Sequence, residues 1–280
     1  MLTFDYARPS TVAEAIGILH GQDGAARVLC GGTDLLVGLR HHTLTPRVVV
    51  DIKGCRDLPA GVGNNGTRLR VGATTVMSRL ADDADIRRAF PALVDAMNTV
   101  GSIQIRNRAT LAGNIANASP AADGVPVLMA YDAVVVLESR RGREEVPLDR
   151  FYSGYKEMTR RPDQLVVGIR IPYRRYSYQV FEKVGARRAQ AIAKVGLAVT
   201  HSGAGWRVVA ASVAPTIRRC PAVERLLETG TPIASPEGLL PAIAQDVAPI
   251  DDIRSSAQYR TRVMARLLYH DLRDVWGKRG

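Results

Sequence analysis

Two short stretches hold the residues whose types and spacing point to chemistry. The first is Leu29-Cys30-Gly31-Gly32-Thr33-Asp34-Leu35-Leu36. A hydrophobic run leads in, two glycines follow, and Thr-Asp opens a helix-like run. Adjacent glycines remove two Cβ atoms and allow positive φ, so a ligand can approach the main chain closely. The N–H groups of such a turn, with the start of the following helix, favour an anion such as a pyrophosphate. Asp34 is a poor neighbour for a phosphate, and it is expected to cap backbone N–H groups with its carboxylate turned away. The spacing is not the G-x-G-x-x-G of a Rossmann dinucleotide site, nor does an acidic residue follow where that site needs one. A tight strand–helix turn without a ligand is the plain alternative.

The second stretch runs from Gln104 to Asp123, and small residues dominate it from Ala109 to Gly124. Thr110, Asn114, Asn117, Ser119 and Asp123 are interleaved with them. A run of small side chains lets main chain lie against a large flat ligand, and the amides and hydroxyls can bond ring and phosphate oxygens. The alternative is a loop under the core that satisfies its own polar groups. Arg106 and Arg108 read as loop anchors that bond carbonyls rather than as catalytic groups. Metal chemistry has little support. Cys30, Cys55 and Cys220 contain no C-x-x-C, so the usual cluster and zinc spacings are missing, and an odd count argues against a disulfide framework. His41 and His42 fit a solvated helix end better than a metal site.

The elements that must position these residues follow from periodicity. Residues 11–19 read as a helix: Thr11 and Glu14 form a capping box, and Val12, Ala15, Ile16 and Leu19 share a face. A strand over Arg27–Cys30, a helix over Asp34–His41 and a strand over Val48–Ile52 make the opening a small α/β unit. Beyond a Gly- and Asn-rich stretch at 53–66, strands are expected at Leu69–Ala73 and Val134–Glu138. Ile86–Val100 reads as helix broken at Pro91. Leu165, Val167, Ile169 and Ile171 alternate on one face of a strand that Pro172 stops. From Tyr173 onward the texture shifts to three consecutive, hence antiparallel, strands: Tyr178–Val184, Ile192–Val199 and Val208–Val213. Three helices follow, at Ala222–Glu228, after Ser235–Pro236, and from Ser256 to about Val275. Strands followed by helices means an α+β class.

Composition narrows the function classes. A chain of 280 residues suggests about two domains. With 46% hydrophobic and 23% charged residues, it is ordinary globular material rather than a disordered, collagen-like or coiled-coil chain. The net charge is 38 − 27 = +11, but the basic residues are scattered. With aromatics at 5% there is no platform for stacking bases, so no nucleic-acid partner is expected. Acidic partners or anionic cofactors suit the surface better. Apolar runs such as Ala133–Leu137 fall far short of the ~20 residues of a membrane helix, and the MLTFDYARPS start has no apolar h-region. No membrane span and a cytoplasmic location are expected.

Taken together and in order, several segments carry a resemblance. They are Cys30-Gly31-Gly32-Thr33-Asp34, Ile105-Arg106-Asn107-Arg108-Ala109-Thr110-Leu111-Ala112-Gly113-Asn114, and Ser119-Pro120-Ala121-Ala122-Asp123. To these are added Pro172, Phe181-Glu182-Lys183-Val184, Arg187–Val195 and Asp252–Arg260. The chain resembles the FAD-binding medium subunit of the molybdenum hydroxylases, a group that includes bacterial xanthine, nicotinate, aldehyde and carbon monoxide dehydrogenases. The resemblance implies a two-part FAD-binding domain of the vanillyl-alcohol-oxidase (PCMH) type at 1–173, with subdomains of about 1–56 and 57–173. It further implies a C-terminal domain at 174–280 of three antiparallel strands and a helix bundle. It assigns Leu29, Cys30, Gly31, Gly32, Thr33, Asp34, Leu35 and Leu36 to the pyrophosphate. Thr110, Leu111, Ala112, Gly113 and Asn114 would form a second wall, and Asp123 would bond ribityl or ribose hydroxyls. Val100 or Gly101, and Val166, would lie near the cofactor, with Lys183 at the isoalloxazine. Ala112 stands where the family commonly has a second glycine, and Gln190 where some members carry an acid. The cysteine-bearing insert of one branch is absent.

By the same resemblance the chain is an electron-transfer subunit. Its FAD would take electrons from two-iron, two-sulfur clusters on a small partner subunit and pass them to NAD, a quinone or oxygen. Substrate hydroxylation would occur on a large partner subunit that carries the molybdenum cofactor. Two rivals are an independent flavin oxidoreductase of the same superfold, which needs its own acid–base pair, and a flavin-free scaffold, which has no use for the glycine and Thr/Asn/Asp positions.

Overall fold

A computed structural model describes residues 3–276; residues 1, 2 and 277–280, at the outer ends of the two expected domains, lie outside the described residues. The chain opens with β1 (Asp5–Ala7), α1 (Val12–Gly21), β2 (Ala26–Leu29), α2 (Leu35–Arg40) and β3 (Val48–Asp51). β3 lies between β1 and β2 and is parallel to both, as an alternating β/α opening requires. The Thr11 hydroxyl accepts from Glu14 N at 3.2 Å. The Glu14 carboxylate accepts from Ser10 N at 2.7 Å, so the capping box closes one residue earlier than its usual form. The face expected of α1 is the buried one.

The second unit begins with β4 (Val62–Asn64) and β5 (Arg68–Gly72), followed by α3 (Met77–Asp82), α4 (Ala84–Ala89) and α5 (Pro91–Thr99). The helix break falls at Pro91, which opens α5. Next come α6 (Ile103–Arg106), α7 (Leu111–Ala116) and α8 (Gly124–Ala130). The stretch read as a loop of small residues is therefore largely helical. Ser102 and Thr110 cap α6 and α7 with their hydroxyls, and small side chains let such short helices pack closely. β6 (Val134–Ser139), β7 (Gly142–Pro147), β8 (Tyr152–Gly154), β9 (Glu157–Met158) and β10 (Leu165–Pro172) complete the unit. Its sheet has the order β4-β5-β10-β6-β7. The simple alternation expected of β10 is broken by a register shift between Val166 and Gly168. As a central strand it is covered on both faces, and Leu165 to Ile169 are all buried.

β11 (Tyr176–Val184), β12 (Val195–Ser202) and β13 (Gly205–Ala211) form the expected antiparallel run, extended by the short β14 (Arg218–Arg219). β12 starts three residues later than expected because the 185–194 loop precedes it. On one face of this sheet Val195, Leu197 and Val199 meet Val223, Ile243, Met264 and Leu268. Those residues lie on α9 (Pro221–Glu228), α10 (Leu240–Asp246) and α11 (Ala257–Trp276). On the other face Ala198 and Val209 join the core of the first two units, and the Thr200 hydroxyl donates to Ala130 O at 2.9 Å. The fold is α+β. No helix among the described residues is long and apolar enough to cross a membrane.

Arg260 ties the last helix to the loops beside the sheet. Only 2% exposed, it donates from Nη1 to Lys194 O at 2.9 Å and Ser212 O at 2.8 Å, and from Nη2 to Asp252 Oδ1 at 2.6 Å. Removing the guanidinium leaves the carbonyls of Lys194 and Ser212 without this donor, whereas Asp252 keeps its pairing with Arg254. Arg260→Met is expected to lower unfolding stability in urea by about 1–3 kcal/mol. A midpoint equal to that of the parent chain would show that this anchor does not matter.

Candidate functional site

Between the three parts lies an open cleft of about 1780 Å³, larger than the ~300–1,000 Å³ that suits a drug-sized ligand. One wall is the turn after β2. Gly32 sits at φ +81°, in the left-handed region where a side chain is strained. Gly31 is required for a different reason. A Cβ there would lie 2.3 Å from Arg108 O and 3.1 Å from Ala109 Cα, so only glycine lets this turn rest on the opposite main chain. Cys30 Sγ reinforces the contact, 3.4 Å from Ala73 O and 3.5 Å from Thr110 Oγ1. Burial pushes its thiol pKa up, which makes the group a packing element rather than a nucleophile.

The second wall is the start of α7. Thr110 Oγ1 accepts from Gly113 N at 3.0 Å, so its hydroxyl oxygen already serves as a helix cap. Asp34 behaves differently from its expected role. It makes no side-chain cap bond; its Oδ1 accepts from Asn117 Nδ2 at 3.0 Å. The carboxylate thus links the two walls instead of capping α2, because α7 brings an amide donor within reach.

The third feature is a buried ion pair. Lys183 Nζ donates to Asp123 Oδ2 at 2.6 Å and to Thr99 O at 3.1 Å, and both side chains are 9% exposed. Burial raises the Asp123 pKa to about 6, against the opposing pull of the Lys183 charge. At neutral pH the carboxylate is ionised and paired.

Of the residues singled out in sequence, Cys30, Gly31, Gly32, Thr33, Asp34, Leu35, Val100, Gly101, Thr110, Gly113, Asn114 and Asp123 line this one cleft. Leu29, Leu36, Leu111, Ala112, Val166 and Lys183 do not. Leu111, Ala112 and Val166 are buried in the core, and Leu36 is 57% exposed. Lys183 lies behind the lining and is joined to it by its bond to Asp123. Arg106 Nη1 donates to Val100 O at 3.1 Å, the anchoring role read for it. His41 and His42 are exposed at the end of α2. Sequence reasoning missed Arg27, Tyr155 and Arg160 on the lining, since nothing marks them out in a scattered basic composition.

Whether the lining fits FAD can be tested on its polar atoms. Asn114 Oδ1 and Asp123 Oδ1 are both buried without a hydrogen-bond partner, and both residues line the cleft. A buried acceptor left unpaired is costly, and a polyhydroxylated ligand supplies the O–H donors they lack. Main chain carrying no Cβ at Gly31–Gly32 suits the pyrophosphate. The residues fit the group.

Comparison with known proteins agrees. Residues 2–174 match the family described as the FAD binding domain in molybdopterin dehydrogenase, and residues 179–275 match the CO dehydrogenase flavoprotein C-terminal domain. The chain is 30% identical over 272 residues, 93% of each chain, to a putative xanthine dehydrogenase FAD-binding subunit of Escherichia coli. It is 31% identical over 272 residues to the nicotinate dehydrogenase FAD-subunit of Eubacterium barkeri, covering 93% of this chain and 92% of that one. Among solved structures it is similar to the carbon monoxide dehydrogenase of Hydrogenophaga pseudoflava that lacks the Mo-pyranopterin moiety of its cofactor. That match has a TM-score of 0.87 at 28% identity and covers 98% of this chain and 97% of that one.

The raised Asp123 pKa has a sign that can be measured. Its folded value of about 6 lies above the ordinary 3.8. The folded state therefore binds the proton more tightly, and stability from this group is full below about pH 4 and lost as pH rises through 6. The stability of the parent chain relative to Asp123→Asn is expected to fall by about 2 kcal/mol between pH 4 and pH 7. A difference independent of pH in unfolding titrations would show that the carboxyl titrates normally.

Proposed function

The chain belongs to the family of FAD-binding subunits of the molybdopterin dehydrogenases, and on that premise we propose that it holds one FAD noncovalently in this cleft and acts as the electron-transfer subunit of a multi-subunit hydroxylase. The observation that carries the reading is the pair of buried, unpartnered acceptors, Asn114 Oδ1 and Asp123 Oδ1, set beside a glycine turn. A bound flavin supplies both two-electron and one-electron redox chemistry.

In this reading each residue has a binding or positioning task. The Gly31–Gly32 main chain takes the pyrophosphate. Asn114 and Asp123 accept hydroxyl donors. Lys183 keeps a positive charge beside Asp123, where it favours negative charge on the ring. The chain's three cysteines are free, and Cys55 and Cys220 are buried in separate cores, which does not suit an iron–sulfur cluster. Two-iron, two-sulfur clusters and the molybdenum cofactor would come from partner subunits, with substrate oxidised on the molybdenum chain. The relatives named as subunits of xanthine and nicotinate dehydrogenases support that assignment. NAD, a quinone or oxygen would be the acceptor. The same reading divides the chain at residues 173 and 174, supported by the two family matches, which end at 174 and begin at 179.

Two substitutions test the binding mode. Gly32→Val is expected to yield protein without flavin absorbance. Asp123→Ala should weaken FAD binding by about ten- to a hundredfold, the worth of charge-assisted hydrogen bonds. Unchanged dissociation constants in fluorescence titration would remove these residues from the site. Steady oxidation of a purine, aldehyde or N-heterocycle by this chain alone would favour an independent oxidoreductase instead.

A further inference from the structure

The turn between α5 and α6 presents two successive carbonyls, and a different cation holds each. Thr99 O accepts from Lys183 Nζ and Val100 O from Arg106 Nη1, both at 3.1 Å. Arg106 is the last residue of α6, so its side chain reaches back six residues and closes the turn into a ring. Inside the ring Ser102 Oγ accepts from Ile105 N at 3.3 Å, and Ser102 O from Arg106 N at 2.9 Å. Gly101 sits at φ +50°, and a Cβ there would lie 2.9 Å from Ile105 Cβ. Glycine therefore lets Ile105 fold over the turn. Val100, Gly101, Ser102 and Ile105 all line the cleft.

The ring leads to the buried ion pair. A lysine ammonium is a point charge on a flexible stem, so the acceptors around it decide where the charge sits. For Lys183 these are Asp123 Oδ2 and Thr99 O. An acceptor positions a cation only when it is itself fixed, and carbonyls in the last turn of a helix lack intrahelical partners. Val100 N donates to Met97 O at 3.1 Å and holds the 99–100 peptide from the α5 side. Arg106 holds the next peptide, 100–101, from the α6 side. Planar peptides transmit this grip, since only the two dihedrals of Val100 separate them. Burial pushes the Asp123 pKa up, and the groups that face the carboxyl and oppose this are Lys183 from β11 and the Thr99 side chain from α5. Thr99 thus meets both members of the pair.

We propose that Arg106 is a positioning residue for the redox chemistry of the cleft: its bond to Val100 O fixes the turn whose preceding carbonyl, Thr99 O, sets the place of the Lys183 charge. Its effect passes through Lys183. The inference rests on the FAD reading of the cleft, because that charge bears on redox chemistry only with a flavin beside it.

The test uses the intact chain with Arg106→Met and Arg106→Lys, each also made in a Lys183→Met background. Without FAD, the Asp123 carboxyl is titrated by carbon-13 NMR, its resonance identified with Asp123→Asn. The midpoint, about 6 in the parent, is expected to rise by about half a pH unit in Arg106→Met, the worth of a charge displaced by about 1 Å. It should return to the parent value in Arg106→Lys, whose ammonium still donates to Val100 O. With FAD, at a pH where the carboxylate is ionised in every variant, affinity for dithionite-reduced relative to oxidised flavin is expected to fall about fourfold in Arg106→Met. Arg106→Lys should restore it, and in the Lys183→Met background Arg106→Met should change nothing further. If Arg106→Met fails to fold, Arg106→Gln, whose amide is a shorter donor, carries the same comparison. A midpoint and an affinity ratio equal to the parent's, with only thermal stability lowered, would make Arg106 a structural anchor and overturn the inference while leaving the flavin reading intact. An equal fourfold fall in the Lys183→Met background would show that Arg106 does not act through Lys183 and overturn it too. Failure of the parent chain to bind FAD would overturn the reading of the cleft, and the inference with it.

Discussion

The rest of the structure depends on the contact of Gly31 with the main chain at Arg108 and Ala109. A Cβ at Gly31 would stand 2.3 Å from a backbone oxygen, and backbone is the neighbour least able to move. The glycine lets the small α/β unit dock on the larger one without side chains between them. Side-chain bonds cross this seam from Cys30 to Ala73 and Thr110 and from Asn117 to Asp34. Together they make the two walls of the cleft one rigid frame, so that backbone rather than flexible side chain faces whatever lies between.

A second constraint joins this frame to the C-terminal sheet. Asp123 precedes α8 and Lys183 lies on β11, so their pairing crosses from one unit to the next. Ser212 N to Pro120 O at 2.8 Å and Thr200 to Ala130 strengthen the same junction. A buried ion pair is weak evidence for stability, because desolvation offsets much of the attraction. Here one carboxylate oxygen is spent on the lysine and the other is left without a partner. That arrangement costs stability in the free chain and becomes useful only when a donor arrives, which is a mark of a binding site rather than of a structural bridge.

Much of this was legible in the sequence because local rules and tertiary packing agree. The capping residue and apolar spacing of α1, the Pro91 break and the antiparallel β11–β13 run each follow from local chemistry. The glycine turn was legible as well, although the reason for Gly31, a close approach to Arg108 from about eighty residues away, was not. The small-residue stretch read as a loop because its caps, Ser102 and Thr110, open helices too short to show a period. Asp34 was assigned to a local cap since its true partner, Asn117, is local only in three dimensions. The pairing of Asp123 with Lys183, and the place of Arg27, Tyr155 and Arg160 on one lining, depend on chain crossings that no spacing encodes. The resemblance placed Asp123 and Lys183 at the cofactor, but no spacing showed that they pair with each other.

The central claim is that this cleft holds one FAD against the glycine turn and beside the Asp123–Lys183 pair. Visible circular dichroism during titration of the chain with FAD tests it most directly, because free FAD gives only a weak band and a cofactor fixed among asymmetric backbone gives an induced one. The account predicts an induced signal that saturates at one FAD per chain. A spectrum that stays equal to that of free FAD at every ratio would contradict it.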